Sequence, residues 1–476
     1  EKALSLAEKM AEHYCREEAI IAWQVDNEIG HEGSDMCWCE TCHRKFISYL
    51  KGRYADINEL NERWGTSFWT HTYSSFEEIP LPRPSFTAQN PSLRLEWERF
   101  RSHSAADFIG KMADAVRKYD ALHPVTHDFE GGTIDKHFSP FEVAKSLDFV
   151  SYNNYPVWGG QPSPMSDSDL AFTVDFARGF RREKIWVTEA IMGQQGHNDI
   201  GYAPKPDEAK KWALSSLDHG VEAVFFFRYR GFTKGAEQFC FGILDADNVK
   251  RRKYYETRSF FKEAKERQID YPKADVCLIY DYDSKSSMKI QRQSDVFSYE
   301  KECQKLYGQL YRRGMNCDII DSSEDFSMYS TVILPYMIVM DDTFKERLKK
   351  YVSEGGTLVM TPRTAWKDKD NNLVFNERMP VGLTVLTGSM VEEHESLLSG
   401  QSSPCIYDDL EGEGTVFEEL LKPTEAKTLI RWKDNPFGEY AAATVNHYGK
   451  GKCYYMGSSF DEKLLNRLFD EILKKA

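Results

Sequence analysis

The stretch Ile20-Ile21-Ala22-Trp23-Gln24-Val25-Asp26-Asn27-Glu28 passes from a short apolar run straight into an amide and a carboxylate. The run is too short for a helix and rich in β-branched and aromatic side chains, which predicts a strand, Ala19–Val25. Lys184-Ile185-Trp186-Val187-Thr188-Glu189 repeats the plan, with a strand Lys184–Thr188 and a glutamate at its carboxyl end. Pro124–Phe129, Phe149–Tyr155 and Ala223–Tyr229 read as three further strands. Helices separate them. In Pro91–Leu122, residues Leu93, Trp97, Phe100, Ala105, Phe108 and Met112 recur at roughly helical spacing. Asp207–His219 has Pro206 near its start and Gly220 just past its end. Strands alternating with helices imply a parallel sheet with crossover helices, and several of these strands are apolar enough to be buried on both faces.

A closed (β/α)8 barrel needs eight such units, and five strands can be counted. The first strand stands behind an N-terminal amphipathic helix with no strand of its own. Either the sheet is open, or the expected fold is a (β/α)8 barrel whose first three βα units are absent from this sequence. A second alternation begins after Tyr271-Pro272, with strands Asp275–Tyr280, Asn316–Ile320, Ser330–Leu334 and Thr357–Thr361. The helices Tyr299–Arg313, Thr343–Ser353 and Asp461–Lys475 and a hairpin, Ala441–Val445 with Gly451–Met456, complete it. This predicts a doubly wound, flavodoxin-like α/β domain. It has neither a GxGxxG nor a Walker loop, so nucleotide binding has no support. The expected division is a catalytic domain at 1–268 and an α/β domain at 269–476.

Composition narrows the function. The 476 residues are 41% hydrophobic and 29% charged, a globular balance. A formal net charge of -14 disfavours the phosphate neutralisation on which non-specific nucleic-acid binding rests. No apolar run reaches the roughly 18 residues of a membrane helix. Seven of the 10 cysteines are scattered singly, which fits reduced thiols in a cytoplasmic protein better than a disulfide framework. Cys37, Cys39 and Cys42 stand apart from these. Three thiolates within six residues can converge on one tetrahedral Zn²⁺, with a fourth ligand from elsewhere, His31 or His43 being local options. Such a site would be structural, because a thiolate cage leaves no open position. The bland alternative is three unmetallated thiols.

Two carboxylates reaching one cleft from different strands are the minimum equipment for glycoside hydrolysis, one as acid and one as nucleophile or base. Glu28 and Glu189 fit that pattern, although a solvated loop is the usual place for a glutamate. Asn27 pairs an amide with the acid and can bond a sugar hydroxyl beside the scissile bond. Asp128 and Glu130 read as polar support. His127, His197 and His219 form no triad pattern, Tyr155 and Trp158 can stack on a sugar, and Arg228 can bind substrate or orient the acids. Asp281 and Asp321 end strands of the second domain.

Longer motifs carry a specific resemblance. They are Trp23-Gln24-Val25-Asp26-Asn27-Glu28-Ile29-Gly30, Cys37-Trp38-Cys39-Glu40-Thr41-Cys42, Leu60-Asn61-Glu62-Arg63-Trp64-Gly65-Thr66-Ser67-Phe68-Trp69 and Asp148-Phe149-Val150-Ser151-Tyr152-Asn153-Asn154-Tyr155-Pro156. Thr188-Glu189 and Gly235-Ala236-Glu237-Gln238-Phe239 follow in order, as do Ile279-Tyr280-Asp281-Tyr282 and Tyr454-Tyr455-Met456-Gly457 in the second domain. The chain resembles glycoside hydrolase family 42, the bacterial β-galactosidases, over nearly its whole length. The resemblance implies a retaining exo-acting enzyme on terminal β-D-galactosyl residues, with no catalytic cofactor. Glu28 would be the acid/base, with a raised pKa, and Glu189 the ionised nucleophile, their carboxyls about 5–5.5 Å apart. Asn27, Trp69 and Glu237 would bind the sugar, with Tyr155 a further candidate, and the second domain would build a homotrimer. Related readings are another sugar such as an arabinopyranoside, or a sugar-binding homologue without turnover. The family's histidine three residues past the Glu237 position is Cys240 here. An arginine, a further cysteine and a small C-terminal β domain of the family pattern have no counterpart in this sequence.

Overall fold

The computed structural model describes residues 1–474 except Asp35, Gly132 and Thr133. By their contacts the residues form two compact units, Glu1–Met36 with Ser102–Lys273, and Cys37–Arg101 with Ala274–Ala476.

The first unit holds β1 (Trp23–Asn27), β2 (Val125–Phe129), β3 (Val150–Asn154), β4 (Ile185–Ile191) and β5 (Val221–Phe227). All neighbours are parallel, and spatial order follows chain order. Helices lie between successive strands, as the βαβ crossover demands. β1 begins later than the apolar run suggests. Trp23 N–H bonds the Pro124 carbonyl at 2.9 Å, and its indole donates to Asp120 at 2.8 Å, so pairing starts there. The helix Asp167–Gly179 is capped by the Ser166 hydroxyl, which accepts from the Asp169 N–H. It buries Leu170, Phe172, Val174 and Phe176, each worth roughly 1.5–3 kcal/mol of transfer. Phe129, Phe141, Phe176 and Phe180 pack edge-on at centroid distances of 4.9–5.9 Å. β2 and β3 are buried at every position, yet more than half of their residues are polar. Two bond within the sheet, Thr126 donating to the Phe149 carbonyl at 2.9 Å and Ser151 to that of His127 at 3.0 Å, while His127 Nδ1 and Asn153 Oδ1 are buried without a partner among the described residues.

In the second unit, helices Glu40–Arg53 and Ile57–Trp64 pack Phe46, Leu50, Leu60 and Trp64 against Leu93, Trp97 and Phe100. Its doubly wound half contains β6 (Val276–Tyr280), β7 (Cys317–Asp321), β8 (Thr331–Leu334) and β9 (Thr357–Met360), all parallel in the order β7-β6-β8-β9. Between β9 and the next parallel strand the chain builds an antiparallel layer absent from the sequence reading. It comprises β10 (Ser389–Ser396), β11 (Ser403–Tyr407), β12 (Leu410–Thr415), β13 (Phe417–Pro423) and β14 (Lys427–Trp432), and it pairs with β15 (Ala441–Tyr448), the first strand of the expected hairpin. The hairpin returns as β16 (Gly451–Met456), parallel to β9, so β7-β6-β8-β9-β16 has flavodoxin-like order. β17 (Ser459–Phe460) and the helix Glu462–Ile472 close the described chain. Lys475, the expected end of that helix, lies outside the described residues.

Candidate active site

The register of the first unit's sheet brings its polar strand ends together. Asn27 lies opposite Asp128, Asp128 opposite Ser151, and Asn153 opposite Glu189. Four consecutive strands thus deliver Glu28, Asp128, Asn153 and Glu189 to the carboxyl edge, where parallel β/α sheets carry their chemistry. Glu28 turns sharply out of β1 with a positive φ of 45°, uncommon for a residue with a Cβ. Its N–H stays tied to the Asp128 carbonyl at 2.8 Å. Gly131 lets the end of β2 close on β3, because a Cβ there would sit 1.3 Å from the Asn153 carbonyl oxygen.

Asn153 Nδ2 donates to Glu28 Oε1 at 2.6 Å, and the Tyr155 hydroxyl donates to Glu189 Oε2 at 2.6 Å. The Thr188 hydroxyl donates to Asp128 Oδ1 at 2.6 Å. Burial pushes Glu189 upward, helped by the charge of Glu28 and opposed by hydrogen bonds from Tyr155 and Asp128. Burial pushes Asp128 further, to about 7, against the Thr188 hydrogen bond and with the charges of Glu189 and Glu28 adding to it. Glu28 thus acts on Glu189 through its charge. His31 Nδ1 meets Glu130 at 2.9 Å and its Nε2 lies 4.0 Å from Glu28.

Other expected site residues fall as follows. Asn27 is exposed, and its side-chain oxygen accepts from Gln24 at 3.2 Å. Tyr155 rests on the cluster of Val157, Leu170, Ile191 and Trp212, with Trp158 edge-on at 4.9 Å. Glu237 forms a close ion pair with Arg228, whose guanidinium lies 4.0 Å from the Phe227 and Phe232 ring centroids. Arg228 Nε and Nη1 are buried without a partner among the described residues, donors suited to a hydroxylated ligand. Cys240 is fully buried with its thiol 3.8 Å from the Gly196 carbonyl. Trp69 belongs to the second unit, where it is 63% exposed and stacks on Phe68 at 4.7 Å. Asn153 and Thr188 escaped the sequence reading as site residues. The paired amides Asn153-Asn154 inside a buried strand were the available signal.

The sulfurs of Cys37, Cys39 and Cys42, also in the second unit, lie within 4.8 Å of one another. A tetrahedral Zn²⁺ with bonds of about 2.3 Å needs sulfurs about 3.8 Å apart, so the donor set fits with a small contraction. Cys39 caps the helix Glu40–Arg53 and accepts from the Cys42 N–H, which pulls its thiol down to about 7. That favours a thiolate at Cys39, whereas burial pushes the Cys42 thiol up to about 12. His43 is not in the cluster: its Nε2 meets the Ile79 carbonyl at 2.7 Å, and His31 is engaged by Glu130.

Comparison with known proteins places this geometry. A family model described as beta-galactosidase, glycoside hydrolase family 42, matches residues 1–267, and one described as a beta-galactosidase trimerisation domain matches residues 274–476. The β-galactosidase BgaA of Clostridium cellulovorans is 32% identical over 98% of this chain and 71% of its own. A β-galactosidase structure from Halorubrum lacusprofundi superposes with a TM-score of 0.93 at 29% identity, over 98% of this chain and 72% of its own. One from Bacillus circulans sp. alkalophilus gives 0.91 at 26%, over 99% of this chain and 71% of its own. The protein is a glycosidase with a TIM-barrel-type catalytic sheet followed by an α/β domain. It belongs to glycoside hydrolase family 42.

Proposed function

We propose that the chain is a retaining, exo-acting β-galactosidase working by double displacement. Glu189 attacks the anomeric carbon while Glu28, protonated, delivers its proton to the departing oxygen. Glu28, now a carboxylate, then takes a proton from the water that releases the sugar. The observation that carries this reading is the placement of the two acids, Glu28 just past β1 and Glu189 on β4, with Asn153, the register neighbour of Glu189, donating to Glu28 and the charge of Glu28 acting on Glu189. Tyr155 aims Glu189, and Asn153 holds Glu28. Asn27, Glu237 and Tyr155 supply the sugar contacts, with Arg228 steadying Glu237.

The names of the matched relatives support galactosides as substrates, and the match over 274–476 supports a homotrimer assembled through an α/β domain at 269–476. The catalytic domain would then be 1–268. Cys37, Cys39 and Cys42 would hold a structural Zn²⁺, supplying rigidity and no step of the reaction. Ten unpaired thiols suit a cytoplasmic location.

Hydrolysis of a chromogenic β-galactoside tests the assignment. Glu189→Gln should lower kcat by on the order of 10⁴-fold or more. Glu28→Ala should lower it by roughly 10²–10⁴-fold, with azide restoring part of the rate on substrates with good leaving groups. Undetectable hydrolysis by the wild type and both variants alike would support a sugar-binding homologue instead.

A further inference from the structure

The site contains a third acid that the two-glutamate mechanism does not use. Asp128 is 1% exposed, the most enclosed of the three carboxyls, and sits on the strand between β1 and β3. The Thr188 hydroxyl, next to Glu189 on β4, donates to Asp128 at 2.6 Å, and Glu189 and Glu28 stand near enough for their charges to act on it. The ionisable groups facing it are all acidic or neutral: Glu28 from β1, Glu189 from β4, the Tyr155 phenol beyond β3, and on its own strand His127, held neutral by burial. Among the described residues no lysine or arginine hydrogen-bonds it. Asp128 and Glu189, two buried carboxyls with no lysine or arginine bonded to either among the described residues, do not both ionise at neutral pH. With Glu28 protonated as the acid, a second proton belongs on Asp128 rather than on Glu189, because Asp128 is the more enclosed and Tyr155 already stabilises a charge on Glu189.

Resting on Glu189 as nucleophile, we infer that Asp128 is a positioning residue that works in its neutral form: Thr188 orients it, and it donates a hydrogen bond that fixes Glu189 for attack. Ionisation of Asp128 removes that donor and puts a repelling charge in its place. The enzyme therefore has an alkaline limit of its own, separate from the deprotonation of Glu28.

The test is the rate of inactivation by 2-deoxy-2-fluoro-β-D-galactosyl fluoride against pH, with the adduct mapped by peptide mass. Fluoride departs without acid assistance, so Glu28 drops out of the profile. In the wild type the adduct should lie on Glu189, and the rate should fall about tenfold per pH unit beyond a limb near 7. Asp128→Asn keeps a donor for Glu189 and an acceptor for Thr188 but cannot ionise. It should react within about fivefold of wild type at pH 6 and lose the alkaline limb. Asp128→Ala should be slower by roughly 10–100-fold at every pH, the worth of a hydrogen bond to a charged group. If Asp128→Asn keeps the wild-type limb, or is as slow as Asp128→Ala, the inference fails while an adduct on Glu189 leaves the mechanism standing. An adduct on another residue overturns both.

Discussion

Glu419 on β13 of the second unit and Asp128 on β2 of the first are both buried carboxyls on sheet strands, and their surroundings differ in one respect. Glu419 accepts from Arg363 at 3.0 Å and from the Tyr455 hydroxyl at 2.6 Å. Burial pushes Glu419 up and Arg363 down, and each opposes that push on the other. Asp128 and Glu189 are hydrogen-bonded by no lysine or arginine among the described residues, and neighbouring acids repel their charge. A sheet that needs a buried acid for structure pairs it with a cation. One that keeps several acids unpaired holds them in a state whose release or transfer of a proton can do work.

That contrast can be broken from either side. The largest effect should come from Glu189→Gln, whose rate loss of on the order of 10⁴-fold should leave the melting temperature unchanged or raised, because a repelling charge is gone. Calorimetry beside the assay checks it. Glu419→Gln should do the reverse, costing about 3–5 kcal/mol by stranding the Arg363 charge, with kcat per folded molecule kept within about twofold. If both variants lost activity and stability together, the two acids would not be doing different jobs.

Asp128 sharpens the comparison through pH. Its ordinary value of 3.8 is raised in the folded state to about 7, so the folded protein holds this proton more tightly than the unfolded chain does. The contribution is fully present below about pH 4 and is lost as pH rises through 7, by roughly 4 kcal/mol at most. Asp128→Asn should therefore match the wild type at pH 4 and melt higher at pH 7.5. A constant difference across that range would contradict the assignment.

The smallest effect should be at the cysteines. Cys39→Ser should bring bound zinc from about one per chain to near none and lower the melting point by several degrees. Activity at 25 °C should remain within about twofold, since no thiol takes part in the reaction.

Much of this was legible in the sequence because β/α units announce themselves by spacing, and because Asn27-Glu28 and Thr188-Glu189 close apolar runs. The antiparallel layer was not. β12 reads Leu-Glu-Gly-Glu-Gly-Thr, and Phe417-Glu418-Glu419 in β13 looks like solvated charge until Arg363, distant in sequence, arrives to pair with it. The role of Asp128 was hidden for a similar reason. Its meaning depends on the register that sets it beside Glu189 and Glu28, and no local pattern records a register between strands. The helix Pro91–Arg117 stopped short of the expected Leu122 because Asp120 caps the following turn, accepting from the Leu122 and His123 N–H groups.

The central claim, that Glu189 attacks and Glu28 handles the proton, is tested most directly by the anomer of galactosyl azide each variant makes. With azide and a dinitrophenyl β-galactoside, Glu28→Ala should yield the β-azide, from attack on the enzyme-bound sugar. Glu189→Gly should yield the α-azide, formed in the space the missing carboxylate leaves. The same anomer from both variants, or the two exchanged, would contradict the account.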